Sequence, residues 1–389
     1  MVLNVAQPAS VSLLRNCTWA LSNFCRGKPQ PALQVVSPAL PVLVNILNQN
    51  VDQEATIDAT WALSYISDGD NQRIEEVVKL GVIPKLVQMM GSGKPQLVVP
   101  ALRTLGNIVS GNDSQTQAVV NGNVLPTLGS DSLTHSLTHS LTHSLTHSLT
   151  HSLTHSLTHS LTHSVPLLSH SKKNIRKESC WMLSNIAAGN QDQLKQLMNT
   201  PDLITRVLVQ LSSSAEWDVR REAAWVVSNI ATSGSKENIM KLVEYGAIQP
   251  ICELLDVGEV KMVLLAIESI QAILSAGLDN EKIVQLIDEA EGIEKLETLQ
   301  QHENTEIYEK VVKIIERYFN GEDAPESENI KPSFDSQSYS FGFPGVTGKA
   351  ATDFGVGFMQ QSAMTNQFNF NPHPFNTAAF GTNSFNNGF

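Results

Sequence analysis

The chain has 389 residues, of which 41% are apolar, and its 26 basic and 38 acidic side chains give a formal net charge of -12. That length suits two or three globular domains or one long repeat array, and the apolar share is enough to bury a sizeable core. A surface this acidic excludes a nucleic-acid or anionic-membrane partner and favours basic ones. The four cysteines (Cys17, Cys25, Cys180 and Cys252) form no CxxC pair or framework spacing, which reads as reduced thiols of a cytosolic or nuclear protein. No apolar run approaches the roughly 18 residues of a membrane span. The opening MVLNVAQPAS lacks the basic-then-apolar order of a signal peptide.

Taken from the N-terminus, the first predicted helix is the apolar run TWALSNFCRG at 18–27. It returns as TWALSYISDG at 60–69, RTLGNIVSG at 103–111, CWMLSNIAAG at 180–189 and AWVVSNIATSG at 224–234. Gly closes each run, which predicts a left-handed C-terminal cap. Gly81-Val82-Ile83-Pro84, Asn123-Val124-Leu125-Pro126 and Gly246-Ala247-Ile248 each open a second apolar helix. Pro is tolerated near a helix start because the N–H it lacks would be unpaired there anyway. The anchors Trp19, Trp61, Arg103, Trp181 and Trp225 stand 42, 42, 78 and 44 residues apart.

A period near 42 with two or three helices per unit predicts armadillo repeats. One unit cannot bury its own apolar face, so stacked neighbours share a continuous core. The expected fold is all-α: a right-handed superhelical solenoid of armadillo repeats with a long groove. Its boundaries are residues 1–128 (the first repeat partial) and 165–320.

The spacing of 78 exceeds one period by 36 residues, and residues 132–163 are eight tandem copies of Ser-Leu-Thr-His. Removing residues 129–164 restores VLPTL followed by VPLLSHSKKNIRKESCW, one helix and then another. The block thus interrupts the second helix of the repeat that carries Trp181. Three readings compete: i, i+4 His pairs as zinc ligands, a disordered low-complexity loop without a ligand, and a translated four-base repeat. The tetranucleotide TCAC read in threes gives Ser-Leu-Thr-His, which favours the last two together. Residues 321–389 hold 11 of the 13 Phe among Asn, Gly, Ser and Pro, without a period, and read as a disordered tail. Its Phe-Gly pairs at Phe341, Phe354 and Phe380 leave open a weak self-associating role or a sticky tail without function.

The anchors bring further residues at fixed offsets. Asn23, Asn185 and Asn229 lie four residues after Trp19, Trp181 and Trp225; Asp58, Glu178 and Glu222 lie three before Trp61, Trp181 and Trp225. On a helix these offsets fall within about 60° of one another, so acid, indole and amide share one face. That trio suits an extended peptide rich in Lys and Arg. The amide can pair with the peptide backbone, the indoles can hold the cations, and the carboxylates can meet their tips. For a single Trp, core packing is the simpler reading. A ladder of Trp with Asn one turn on is different, because buried Asn is costly unless paired.

On these residues the chain resembles importin alpha over roughly residues 10–320, the 36-residue interruption excepted. The family breaks its Trp/Asn ladder with Tyr for Asn in one repeat and Arg for Trp in the next. Here Tyr65 follows Trp61, and Arg103 precedes Asn107. The stretch Ile307-Tyr308-Glu309-Lys310 leading to Tyr318-Phe319 is similar to the family's last repeat.

The resemblance implies a cofactor-free adaptor of cytoplasm and nucleus that binds proteins bearing Lys/Arg-rich nuclear localisation signals. It places Trp19 in the family's fourth repeat and Glu309 in the tenth. Of the major peptide site it leaves a remnant, Trp19 and Asn23, joined by Asp58, Trp61 and Tyr65 of the linking repeat. The minor site is whole: Arg103, Asn107, Glu178, Trp181, Asn185, Glu222, Trp225 and Asn229. The family's basic segment for importin beta has no counterpart here. The expectation is a chain N-terminally truncated relative to the family, deficient in import, and still able to hold the export receptor by its C-terminal repeats. The alternative is an armadillo scaffold for signalling or adhesion, although Asp58, Glu178 and Glu222 make this groove acidic where such scaffolds favour basic ones. An enzyme finds no support, since no nucleophile–base pair, phosphate loop or metal cluster appears.

Overall fold

Short polar side chains, among them Ser10, Asp52, Asp70, Asn112 and Asn190, start several helices of this chain by accepting from the first turn. The computed structural model describes residues 10–27, 29–129, 166–319, 333–335 and 340–342. The chain divides into two units, Met1–Ala324 and Pro325–Phe389.

The first unit repeats a cycle of one long helix and two shorter ones. Helix α1 (Val11–Cys25) is followed by α2 (Leu33–Val36) and α3 (Leu40–Gln49). The next cycles are α4 (Gln53–Ser67), α5 (Asn71–Val78) and α6 (Ile83–Met90), then α7 (Pro95–Val109), α8 (Asp113–Asn121) and α9 (Val124–Gly129). After a 3-10 turn at Leu167–Ser169 come α10 (Lys173–Ala187), α11 (Gln191–Met198) and α12 (Leu203–Leu211). Then follow α13 (Trp217–Ser233), α14 (Lys236–Glu244) and α15 (Ile248–Cys252), and α16 (Val260–Ser275), α17 (Asn280–Glu289) and α18 (Gly292–Leu299). Helix α19 (Thr305–Tyr318) ends the series. The long helices pack in single file, α1 on α4, α4 on α7, α7 on α10, α10 on α13, α13 on α16 and α16 on α19. The shorter helices back them, and one apolar core runs unbroken from Leu14 to Ile314. This is the all-α armadillo solenoid that the period predicted.

The caps show how register passes along the file. Asn112 and Asn190 each form a capping box, accepting from the backbone N–H of Gln115 and Gln193 while those glutamines reach back to the cap N–H. The same glutamines donate from Nε2 to the preceding repeat, Gln115 to the Asn71 carbonyl at 3.0 Å and Gln193 to the Asp113 carbonyl at 2.8 Å. One side chain therefore starts a helix and fixes its position against the previous repeat.

The expected left-handed glycine caps do not form at the ends of the anchor helices. Left-handed residues stand instead just before the second short helix of several cycles: Gly81, Asn123, Asp202, Gly246 and Glu291, with φ between 57° and 86°. The glycines at 111 and 189 have another cause. A Cβ there would lie 2.1 Å from Gln115 Oε1 and 1.9 Å from Gln193 Oε1, so each leaves room for a capping-box glutamine.

In the second unit, β1 (Ser333–Asp335) and β2 (Ser340–Gly342) pair antiparallel, with Phe334 opposite Phe341. The sequence predicted no regular element there. The Ser-Leu-Thr-His block and the rest of the tail lie outside the described residues. The helix before the block, α9, packs against the 3-10 turn that follows it.

Candidate functional site

The anchor positions fall on the exposed face of the file of long helices, and the file decides what each residue can reach. Arg103 of α7 projects onto α10. Its Nη2 donates to Glu178 Oε1 at 2.5 Å, and its guanidinium carbon sits 5.1 Å from the centre of the Trp181 ring. The indole also needs Gly106: a Cβ at that residue would lie 2.3 Å from Trp181 Cζ3. Serine occupies this offset at 22, 64, 184 and 228, so the one glycine of the series marks where the indole lies against backbone.

The amides divide into three groups. Asn107 donates from Nδ2 to the Ser64 carbonyl at 2.8 Å and to Ser67 Oγ at 3.2 Å. Asn229 donates to the Ser184 carbonyl at 2.9 Å. Both bonds cross from one long helix to the preceding one, a structural duty that the Trp–Asn spacing alone does not disclose. Asn23 donates to the Trp19 carbonyl of its own helix at 2.9 Å. Asn185 has no such bond, and its Nδ2 is buried without a partner.

The carboxylates differ as much. Glu178 is only 6% exposed and its Oε1 is taken by Arg103, so it does not stand ready at the surface as its spacing suggested. Its other oxygen, Oε2, is buried without a hydrogen bond. Burial pushes the Glu178 pKa up, with Arg103 and then Lys177 pulling against it. Glu222 is half-buried and its pKa is also raised by burial, opposed first by Lys177. Asp58, half-buried on α4, is pushed up to about 6 by burial, with Glu54 and Asp52 adding repulsion. Its neighbours Trp61 and Tyr65 stack on each other, ring centres 5.9 Å apart and planes 20° from parallel.

The structure thus brings Arg103, Glu178 and Trp181 together, with Asn185 one turn on along α10 and Asn229 of α13 bonded to the Ser184 carbonyl beside it. Trp19 and Asn23 stay apart at the start of the file. One residue that the spacing argument missed is Lys261 of α16, whose Nζ lies 5.2 Å from the centre of the Trp225 ring.

Chemically, the face of α10 carries a carboxylate, an indole and an amide in succession. Glu178 and Asn185 are seven residues apart, two helical turns on one face, with Trp181 between them. Glu178 Oε2 and Asn185 Nδ2 are thus an unpaired acceptor and an unpaired donor on one face, each buried. No helix among the described residues is long and apolar enough to cross a membrane.

Residues 28–68 and 70–110 match the Armadillo/beta-catenin-like repeat, 173–230 the HEAT-like repeat and 281–333 the Atypical Arm repeat. Importin subunit alpha-1a of Oryza sativa subsp. japonica is 41% identical over 331 residues, 83% of this chain and 56% of that protein. Importin subunit alpha-4 of Arabidopsis thaliana is 44% identical over 328 residues, 82% of this chain and 54% of that protein. The chain therefore spans little more than half the length of these relatives. Among solved structures, a designed armadillo repeat protein in complex with peptide (KR)4 is 27% identical, with a TM-score of 0.56, over 71% of this chain and 98% of that one.

Proposed function

The chain belongs to the importin alpha family of armadillo-repeat proteins, and on that premise we propose that it is a nuclear import adaptor. It binds Lys/Arg-rich nuclear localisation peptides along α7, α10 and α13 and performs no reaction of its own. The observation that carries this reading is the pair of indoles on adjacent long helices, Trp181 and Trp225, each with a cation of the chain already over its ring, the contact that a basic ligand side chain would make. A peptide backbone presents both a donor and an acceptor, and a basic side chain adds the cation that the indoles and the acidic face favour. The designed neighbour complexed with (KR)4 supports the same ligand chemistry on the same fold. Its partners are then cargo proteins with basic signals, and an export receptor at the C-terminal repeats. Its compartments are cytoplasm and nucleus.

The test is a fluorescence-anisotropy titration with a labelled Lys/Arg-rich peptide at low and high ionic strength. Binding of micromolar or weaker affinity is expected, weakening as salt rises because the contacts involve charge. Equal affinity for a charge-neutral peptide of the same length overturns the reading.

A further inference from the structure

The aromatic ladder has an end, and the residues that make it are the chain's own cations. After Trp225 the next anchor position, on α16, is Glu268, and the one after it, on α19, is Lys310. These two pair at 2.9 Å, so the first carboxylate beyond the ladder is already neutralised. Seven residues before Glu268, on the same face of α16, stands Lys261, with its ammonium over the Trp225 ring. The same offset holds Ser12, Glu54, Gln96, Asn174, Asp218 and Glu303 in the other cycles, so Lys261 is the one cation of that series. Its neighbour Glu259 is engaged by Arg221 at 3.6 Å, and among the described residues Lys261 has no ion-pair partner. What positions its charge is the indole.

We propose that Lys261 is a specificity-determining residue that occupies the last cation subsite of the groove. A basic ligand side chain must displace it to reach this face of Trp225, so it sets where the bound peptide stops. This rests on the peptide-binding reading above and adds a boundary to it. Two effects act together. The ammonium covers the ring face that a ligand cation would use, and it repels that cation in a part of the groove where Glu268 offers no compensating charge.

The experiment measures affinity for a labelled (Lys-Arg)4 peptide at physiological salt. Lys261→Gln should bind about three- to five-fold tighter than the unaltered protein. Lys261→Arg, which keeps a cation over the ring, should match the unaltered protein. Lys282→Gln removes the same charge from the exposed face of α17 and should gain much less. In a Trp225→Ala background the gain from Lys261→Gln should disappear, because the subsite itself is gone. The inference is overturned if Lys261→Gln binds no tighter, if Lys282→Gln gains as much, or if the gain survives without Trp225. If the unaltered protein binds and only the Lys261 gain is missing, the groove reading stands and this one falls. If neither protein binds the peptide, both fall.

Discussion

The two ends of the ladder use the same residue types to different effect. On α1, Trp19 is 63% exposed and Asn23 bonds back to its own helix. On α13, Trp225 is partly buried under Lys261, and Asn229 reaches across to the Ser184 carbonyl of α10. Both rungs carry Trp and Asn, but Asn16 stands on α1 where Glu222 stands on α13, and the neighbours of the two helices differ as well. Helix α13 is flanked by α10 and α16, whereas no described helix lies before α1. Asn229 can bridge because α13 packs on α10, as expected of a solenoid in which every repeat contacts only its neighbours. Helix α4 is intermediate: it is flanked on both sides, but Tyr65 in place of Asn stacks on Trp61 and supplies no bridging amide.

The largest effect that would break this contrast is on stability. Arg103 and Arg15 both tie one long helix to the next, Arg103 to Glu178 at 2.5 Å and Arg15 to Asp52 at 2.8 Å. When the arginine goes, Asp52 still accepts from the Ala55 backbone N–H, whereas the second oxygen of Glu178 has no hydrogen bond to fall back on. Arg103→Ala should lower the stability of the solenoid by about 3 kcal/mol, the usual scale for stranding one member of a buried pair. Arg15→Ala should have a smaller effect, since Arg15 is the more exposed arginine, at 43% against 24%, and Asp52 keeps its capping bond. Urea midpoints give the comparison, and adding Glu178→Gln to Arg103→Ala should recover much of the loss. Equal losses for the two arginines would mean that the α7–α10 joint is no more buried than the α1–α4 joint.

Next in size is an effect on binding. Trp181→Ala or Trp225→Ala should weaken a basic peptide by about 2 kcal/mol, as truncation of a central aromatic anchor commonly does. Trp19→Ala should do much less, because that indole is 63% exposed and its amide bonds only its own helix. Anisotropy titrations of the three variants decide it, and a largest loss at Trp19 would move the working site to the other end of the file.

Much of this architecture was legible in the sequence because a repeat presents its pattern several times over. The 42-residue spacing gave the fold, and the offsets around the tryptophans put acid, indole and amide on one face. What could not be read is whatever one repeat does to the next. Glu178 has the spacing of a ligand-facing carboxylate, yet Arg103, a full repeat and an insertion away, takes it. Asn107 and Asn229 have the spacing of peptide-binding amides, yet each also bonds the preceding helix. The closing glycines suggested left-handed caps, but at 111 and 189 they make room for a glutamine whose role is visible only once its repeats are stacked. Lys261 escaped because its offset means nothing until α16 lies against α13.

The smallest effect concerns Asp58 of α4, whose raised pKa, unlike that of Glu178, is opposed by no arginine. Among the described residues its carboxyl has no ion pair comparable to that of Arg103, and burial together with Glu54 and Asp52 pushes its pKa up to about 6. In the unfolded chain an aspartate titrates near 4. Below that pH the side chain is protonated in both states and contributes nothing. As pH rises from about 4 to about 6, the unfolded chain loses the proton first, so stability falls across that window and then levels off. Asp58→Asn removes this penalty. The variant should be more stable than the unaltered protein at pH 7, by about 1 kcal/mol once solvent screening of a half-buried group is allowed for. The advantage should vanish at pH 4. Binding should respond with the opposite sign, because a basic ligand favours the ionised carboxylate. Peptide affinity of the unaltered protein should drop between pH 7 and pH 5 by a larger factor than that of Asp58→Asn. Urea midpoints and titrations at pH 4, 5 and 7 check both halves. If the two proteins keep the same stability difference at pH 4 and pH 7, Asp58 is not the group that titrates, and the α4 region loses its distinction from the rest of the groove.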